Sequence, residues 1–360
     1  MRRILPTCDR VMAHAPSPRS IYPATLAVAV ASAALLLGAC ANANATADTP
    51  AEAVITAERR DEQRQVDSFQ TLDLDWRDSA RNRLVPVRLY WPETAARGVP
   101  VPLIVFSHGI GGSRAGYSHL GRYWAEQGYA SLHVQHVGSD NQLWRGNLFT
   151  LSGRLQQATQ ESEAIARVAD LRFALDQLLA SERGTRIATT RIVAAGHSYG
   201  AMTAMLAAGA RVERAGKPLA LRDARIRAAI LMSAPPFYGE ADFGPILREV
   251  GIPTLHLTTT EDVIRVPGYH SPAADRLRVF EATGSSLKVL AVFEGGSHSV
   301  FMDRRGTGPA ALQIRAATRE LSTTFLRRVF DVGDKGTGSE AGLAGWGAAH
   351  PGALASYRVQ

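Results

Sequence analysis

The chain has 360 residues, 46% of them hydrophobic and 20% charged, with a formal net charge of +7; this is enough apolar material for one sizeable core and too mild a charge for a nucleic-acid-binding surface. Residues 1–39 hold four arginines against one aspartate, so the remainder carries only +4, and lysine occurs at Lys217, Lys288 and Lys335 alone. Both cysteines, Cys8 and Cys40, precede the first convincing strand, which excludes a disulfide, a thiolate metal site and a cysteine nucleophile from the folded part.

The first feature in chain order is ATLAVAVASAALLLGA (24–39), a 16-residue apolar run preceded by Arg19 and followed at once by Cys40. It is short of the about 20 residues that a membrane-spanning helix needs and has the charge-then-apolar order of an export signal. Leu37-Gly38-Ala39-Cys40 resembles the lipobox of bacterial lipoproteins, in which the cysteine is acylated and becomes the new N-terminus. The resemblance implies a signal peptide over 1–39, a lipid on Cys40 and a place in the cell envelope, at the outer membrane or the periplasmic face. The alternative is an ordinary cleaved signal and a soluble secreted product, since Ala41, Ala43 and Ala45 also offer small-residue sites. Residues 40–67 are small and polar and read as a flexible tether.

The catalytic domain is expected over 68–330. Strand-like runs recur at TLDLDW (71–76), LVPVRLYW (84–91), VPLIVFSH (101–108), YASLHVQH (129–136), RIVAAG (191–196), IRAAILMSA (226–234), IPTLHLTT (252–259) and LKVLAVF (287–293). The later ones are continuously apolar, as strands covered on both faces are. Between them, Ile165, Val168, Leu171, Leu175, Leu178 and Leu179 repeat at helical spacing over 159–181, with Thr159 as the expected N-cap. Further helices are expected over 199–209 and 309–329. Alternating strands and helices build a mostly parallel sheet with right-handed crossovers, and the first two strands, joined without a helix, form an antiparallel edge hairpin. Residues 331–360, rich in Gly and Ala, read as a loose tail.

Gly196-His197-Ser198-Tyr199-Gly200 matches G-x-S-x-G, a pattern that about one chain in ten of this length carries by chance. Here it follows an apolar strand directly and opens a helix, the turn that lifts a serine above a sheet, so Ser198 is the candidate nucleophile. A serine hydroxyl needs a base, and the base an acid to orient it. The run ending at Phe293 is followed by Glu294-Gly295-Gly296-Ser297-His298, which makes His298 the candidate base; the run ending at Thr259 is followed by Thr260-Glu261-Asp262, which offers two carboxylates. Neighbours in an extended segment face opposite sides, so one of Glu261 and Asp262 serves, and aspartate orients an imidazole at less entropic cost. Ser107-His108-Gly109-Ile110-Gly111-Gly112 is a glycine-rich loop after a strand, and the expected oxyanion donors are the N–H groups of Ile110 and Tyr199. His133, His136 and His256 lie in strand-like runs and read as packed core residues. No histidine has metal-ligand spacing, there is no phosphate-binding fingerprint, and no metal or cofactor is implied.

FSHGIGGSR, QHVGSD (135–140), Arg167-Val168-Ala169-Asp170-Leu171-Arg172-Phe173, AAGHSYGA, TTTED and GGSH together resemble the platelet-activating-factor acetylhydrolase and dienelactone-hydrolase-like branch of the α/β-hydrolases, over roughly 70–328. The resemblance implies an α/β-hydrolase fold with an eight-stranded, mostly parallel sheet, Asp262 as the acid, and hydrolysis of carboxylic esters through an acyl-enzyme. Dienelactone hydrolases use a cysteine where this chain has Ser198, so lactone cleavage does not follow. Short-chain, lipid-derived or polyester substrates are expected, with membrane contact through the lipid anchor and no nucleic acid. A peptidase of the prolyl-oligopeptidase type and a non-catalytic surface-binding lipoprotein stand as alternatives. The insertion over 138–160, with Trp144, Leu148 and Phe149, is either an acyl-binding wall or an ordinary packed loop; Tyr117, Trp124, Phe237 and Tyr238 are candidate pocket walls.

Overall fold

Eight of the nine strands in the main sheet coincide with the apolar runs of the sequence, and the ninth comes from the expected tail. The computed structural model describes residues 68–360 apart from 238–239, 241, 267–268, 304–307 and 331–338. The signal, lipobox and tether readings therefore lie outside the described residues, as does Tyr238.

The chain opens with the antiparallel hairpin β1 (Phe69–Asp78) and β2 (Arg83–Pro92), then β3 (Val101–Ser107), α1 (Ser118–Glu126) and β4 (Ala130–Val134). Next come α2 (Leu151–Ala158), α3 (Glu161–Ala180), β5 (Ile187–His197) and α4 (Tyr199–Ala208). A small hairpin of β6 (Glu213–Arg214) and β7 (Lys217–Pro218) precedes β8 (Ile226–Met232), α5 (Gly244–Arg248) and β9 (Thr254–Glu261). After a second hairpin, β10 (Ile264–Val266) and β11 (Tyr269–Ser271), the chain continues through α6 (Ala274–Ala282), β12 (Lys288–Ser297), α7 (Pro309–Phe330), α8 (Ser339–Ala349) and β13 (Leu354–Val359). The sheet order is β1-β2-β4-β3-β5-β8-β9-β12-β13. The six strands from β4 to β12 run parallel, and the added strands at both ends are antiparallel.

Alternate residues of the central strands feed two cores. Leu103, Val105, Ile192 and Ala194 face the layer made by α3 and α4, while Ile104, Phe106, Val193 and Ala195 face the layer made by α1, α7 and α8. This double coverage is why these runs are apolar throughout.

Two sequence expectations are corrected. Thr159 does not cap α3: that helix starts at Glu161 with Gln160 as its N-cap, and Thr159 closes the preceding α2, its hydroxyl donating to the carbonyls of Leu155 and Gln156 at 3.2 and 3.0 Å. A threonine hydroxyl donates as readily to a helix's last carbonyls as it accepts from the first amides, and periodicity alone does not separate the two. The segment after 338 is no loose tail. Its helix α8 buries Leu343 and Trp346 against the α7 layer, and β13 pairs antiparallel with β12, extended by reciprocal backbone bonds between Lys288 and Gln360 at 2.8 Å. Its few apolar residues, spaced among glycines and alanines, cover a sheet edge that would otherwise stand open. Leu343→Ala is expected to destabilise the fold by ~2–4 kcal/mol, seen as a lower urea midpoint; an unchanged midpoint would show that the terminal helix is not part of the core.

Candidate active site

The site sits at the carboxyl ends of the parallel strands, where an open α/β sheet offers a crevice. β5 ends at His197, and Ser198 follows with φ 56° and ψ −120°, a left-handed conformation that only a tightly clamped turn imposes on serine. The clamp is backbone packing. A methyl group on Gly196 would lie 2.2 Å from the Gly200 carbonyl oxygen, and one on Gly200 would lie 1.9 Å from the Ser107 carbonyl oxygen at the end of β3. The Ser198 N–H donates to Met232 O of β8 at 2.9 Å, and α4 starts at Tyr199, so the serine sits at a helix N-terminus.

The structure brings Ser198 together with the other two expected residues. Ser198 Oγ lies 2.8 Å from His298 Nε2, and His298 Nδ1 lies 2.6 Å from Asp262 Oδ1. Asp262 Oδ2 accepts a hydrogen bond from the Thr258 hydroxyl at 2.7 Å. Asp262 is fully buried, whereas Glu261, its neighbour, is exposed at the end of β9. Burial disfavours the Asp262 carboxylate, but the hydrogen bond and charge of His298, with Arg276 and Ser233 behind, outweigh it and hold the group well below the usual carboxylate range. With Asp262 ionised, His298 carries its proton on Nδ1, leaving Nε2 free to accept from the serine hydroxyl.

Ile110 follows Gly109 in the loop after β3, and that loop is held from several sides. The Gly109 N–H donates to the Tyr117 hydroxyl at 3.3 Å, the Gly112 N–H donates to Gly109 O at 3.0 Å, and the Gly111 N–H donates to Ser139 O at 2.8 Å. Trp144 of the 138–160 segment donates from Nε1 to Gly111 O at 2.8 Å. Sequence reasoning missed the group that joins this loop to His298. The Tyr117 hydroxyl lies 2.8 Å from His197 Nδ1, and His197 Nε2 donates to the His298 carbonyl at 2.8 Å. Burial, with the charge of His298 added, pushes the His197 pKa down to about 3, so the ring is neutral and its hydrogen-bonding roles are fixed. The only signal for this was the identity of the residue before Ser198.

A cavity of about 600 Å³ opens beside Ser198. Met202 and Leu206 of α4, Leu219, Leu221 and Leu155 of α2 are among the residues that line it. Of the aromatic residues expected as walls, Phe237 lines the cavity; Trp124 is core, bonded to Ser322, and Tyr117 lies under the Gly109 loop. The insertion reaches the cavity through Ser152, Leu155 and Gln156, whereas Trp144 and Phe149, two of the residues expected for a wall, do not line it, and Phe149 is 93% exposed. The remaining histidines read as core, His133, His136 and His256, are all buried. Among the described residues no cluster of metal-ligating side chains occurs.

The chain has the α/β-hydrolase fold, with Ser198, His298 and Asp262 in one hydrogen-bonded line at the carboxyl ends of its parallel strands. A sequence model of the family described as platelet-activating factor acetylhydrolase, isoform II, matches residues 82–142, which hold the β2–β4 region and the Gly109–Gly112 loop. Among solved structures, the chain is similar to an acylaminoacyl peptidase of Pyrococcus horikoshii, with 16% identity and a TM-score of 0.56 over 79% of this chain. The match spans 45% of that peptidase's own length. It is also similar to a ferulic acid esterase from Streptomyces cinnamoneus, with 23% identity and a TM-score of 0.52, covering 75% of this chain and 91% of the esterase. No curated protein matches by sequence.

Replacing Gly200 by alanine forces backbone to move at the elbow, and a loss of ~1–3 kcal/mol is expected, with Ser198 displaced. Thermal unfolding and labelling of Ser198 by a fluorophosphonate check the two effects; a variant as stable and as reactive as the wild type refutes the clamp. Asp262→Asn is expected to lower kcat by up to about 10⁴ with little loss of fold, and Glu261→Gln to leave it near wild type. The reverse ranking in a side-by-side rate assay moves the acid by one residue.

Proposed function

We propose that the chain is a serine hydrolase that cleaves carboxylic esters with an apolar acyl group through an acyl-enzyme. The observation that carries this reading is the joining of Ser198, His298 and Asp262 in one hydrogen-bonded line beside an apolar cavity. His298 Nε2 takes the Ser198 proton as Oγ attacks the ester carbonyl, and Asp262 stabilises the imidazolium that forms. The carbonyl oxygen becomes an anion facing the N–H groups of Ile110 and Tyr199, the latter at the first turn of α4 where the helix dipole adds its partial positive charge. Collapse expels the alcohol, which takes its proton from His298. Water then repeats the sequence on the acyl-enzyme, returning Ser198 and releasing the acid.

The cavity supports the substrate class. It runs along Tyr199, Met202 and Leu206, one face of α4, and from Ser198 to Leu206 that helix advances about 12 Å. A C–C bond is about 1.5 Å long and advances a zigzag chain by only about 1.25 Å, so an extended acyl chain of roughly ten carbons spans that distance. Short-chain, lipid-derived and polyester acyl groups all fit such a slot, and the match to the acetylhydrolase family model favours lipid esters. We further propose, from Leu37 to Cys40 alone, that the chain is carried on a lipid anchor at Cys40 in the cell envelope.

Hydrolysis of p-nitrophenyl esters from acetate to palmitate by protein starting after Cys40 tests the activity, with kcat/KM expected to fall for acyl groups beyond about ten carbons, the limit set by the same helix rise. Ser198→Ala is expected to lose about 10⁶-fold in kcat together with fluorophosphonate labelling. Turnover of acylated peptide anilides, with none of esters, favours a peptidase instead. For the anchor, labelled palmitate is expected on the full chain and absent from Cys40→Ser; an unlabelled wild type rejects it.

A further inference from the structure

Behind the Gly109 loop lies a charge that the triad chemistry leaves unexplained. Arg167 of α3 is fully buried, and its hydrogen bonds go to neutral oxygens: Nε to Thr203 Oγ1 at 3.0 Å, one terminal nitrogen to Ser139 Oγ at 2.8 Å, and the other to the His108 carbonyl. Its guanidinium carbon lies 4.4 Å from the centroid of the Tyr199 ring. Among the described residues it has no ion-pair partner; Glu163 is reached through Ser139, whose hydroxyl lies 2.7 Å from Glu163 Oε1. Burial pushes its pKa down to about 10, so it remains a cation at neutral pH. A buried cation bonded only to neutral groups is costly, and such departures concentrate where a site needs them.

What it touches locates the need. The His108 carbonyl belongs to the residue that opens the loop carrying Ile110, and Tyr199 is the residue after the serine. Thr203 links the two sides, since its hydroxyl donates to Tyr199 O at 3.0 Å while accepting from Arg167. We propose that Arg167 is a positioning residue of the oxyanion hole, holding the Ile110 and Tyr199 segments in register from behind and supplying a fixed positive charge for the anion that forms in front of them. His108 works alongside it. Its Nε2 accepts the His136 N–H at 3.0 Å, so Nδ1 bears the proton and donates to Gly109 O at 2.7 Å. Gly109 O therefore accepts from His108 and from the Gly112 N–H, which orients and polarises the peptide whose N–H is that of Ile110.

The proposal rests on the esterase reading, and the test separates the two. kcat and KM are measured per site titrated with fluorophosphonate, alongside the affinity of an alkyl boronic acid, which forms a tetrahedral anion on Ser198. Arg167→Met keeps the aliphatic stem and removes the charge; kcat is expected to fall roughly 10- to 100-fold, less than or equal to the loss of a direct oxyanion donor, with KM within about twofold and boronate affinity falling by the same factor as kcat. Arg167→Lys is expected to recover part of both, and Thr203→Val to lose less in the same direction. A merely structural role lowers the yield of titratable sites and leaves the per-site constants unchanged, which overturns the inference. If Arg167→Met does not fold, wild-type kcat and boronate affinity in both Arg167→Lys and Thr203→Val overturn it equally. A wild type inactive on every ester sinks the esterase reading and this inference with it.

Discussion

The geometry of the whole site depends on how closely three backbones meet at the end of β5. Gly196, Gly200 and the Ser107 carbonyl approach within the space a single methyl group would fill. That contact bends the chain at Ser198 into its positive φ, sets the direction of α4, and ties the elbow to the end of β3, from which the Gly109 loop departs. Ser198 and the Gly109 loop are thus referenced to the same few atoms. A site assembled this way has little freedom to lose when substrate arrives, which is what preorganised electrostatic catalysis requires.

His298 and Asp262 are referenced to the sheet by another route. β9 and β12 are parallel neighbours, and their ends bring Asp262 and His298 together across a register shift after Phe293. Thr259, whose hydroxyl bonds Gly296 O, ties the two loops together, and Thr258 fixes the orientation of Asp262. The His197 ring then connects the carbonyl of His298 through Tyr117 to the Gly109 N–H. Because burial keeps that ring neutral, the connection does not open and close with pH in the range where His residues ordinarily titrate.

Much of this was legible in the sequence, for identifiable reasons. The apolar runs marked eight strands because a doubly covered sheet tolerates little else, and the serine elbow was readable because glycine is the residue that such an approach admits. Aspartate and histidine were found by chain order after strands. The resemblance singled out Asp262 over Glu261, and the structure buries the first and exposes the second. What escaped depends on distance in three dimensions. Nothing in RVADLRF separates Arg167, sealed under the loop, from Arg172, which bonds surface carbonyls at the other side of the helix. Thr159 was misread because two helices abut there, and β13 was missed because an edge strand pairs through its backbone, which leaves little trace in side-chain pattern.

The charges behind the oxyanion loop can be followed outward to their partners. Asp170 is fully buried, yet it is answered by Arg81 at 2.8 Å and Arg83 at 2.9 Å, and Arg83 also reaches Glu163 at 3.3 Å. His136 lies between Asp170 and Ser107, and burial drives its pKa, like that of His108, well below the ordinary value, so neither ring adds a charge at neutral pH. Two carboxylates are thus met by Arg81 and Arg83, and Arg167 is the cation bonded to the His108 carbonyl at the start of the loop. Neutral histidines serve there as fixed dipoles, and one of them, His108, passes its orientation to the peptide bearing the Ile110 N–H. Such a layer favours negative charge in front of the loop without offering a counter-ion that a substrate would have to displace, which fits an anion that exists only during turnover better than one that binds and stays.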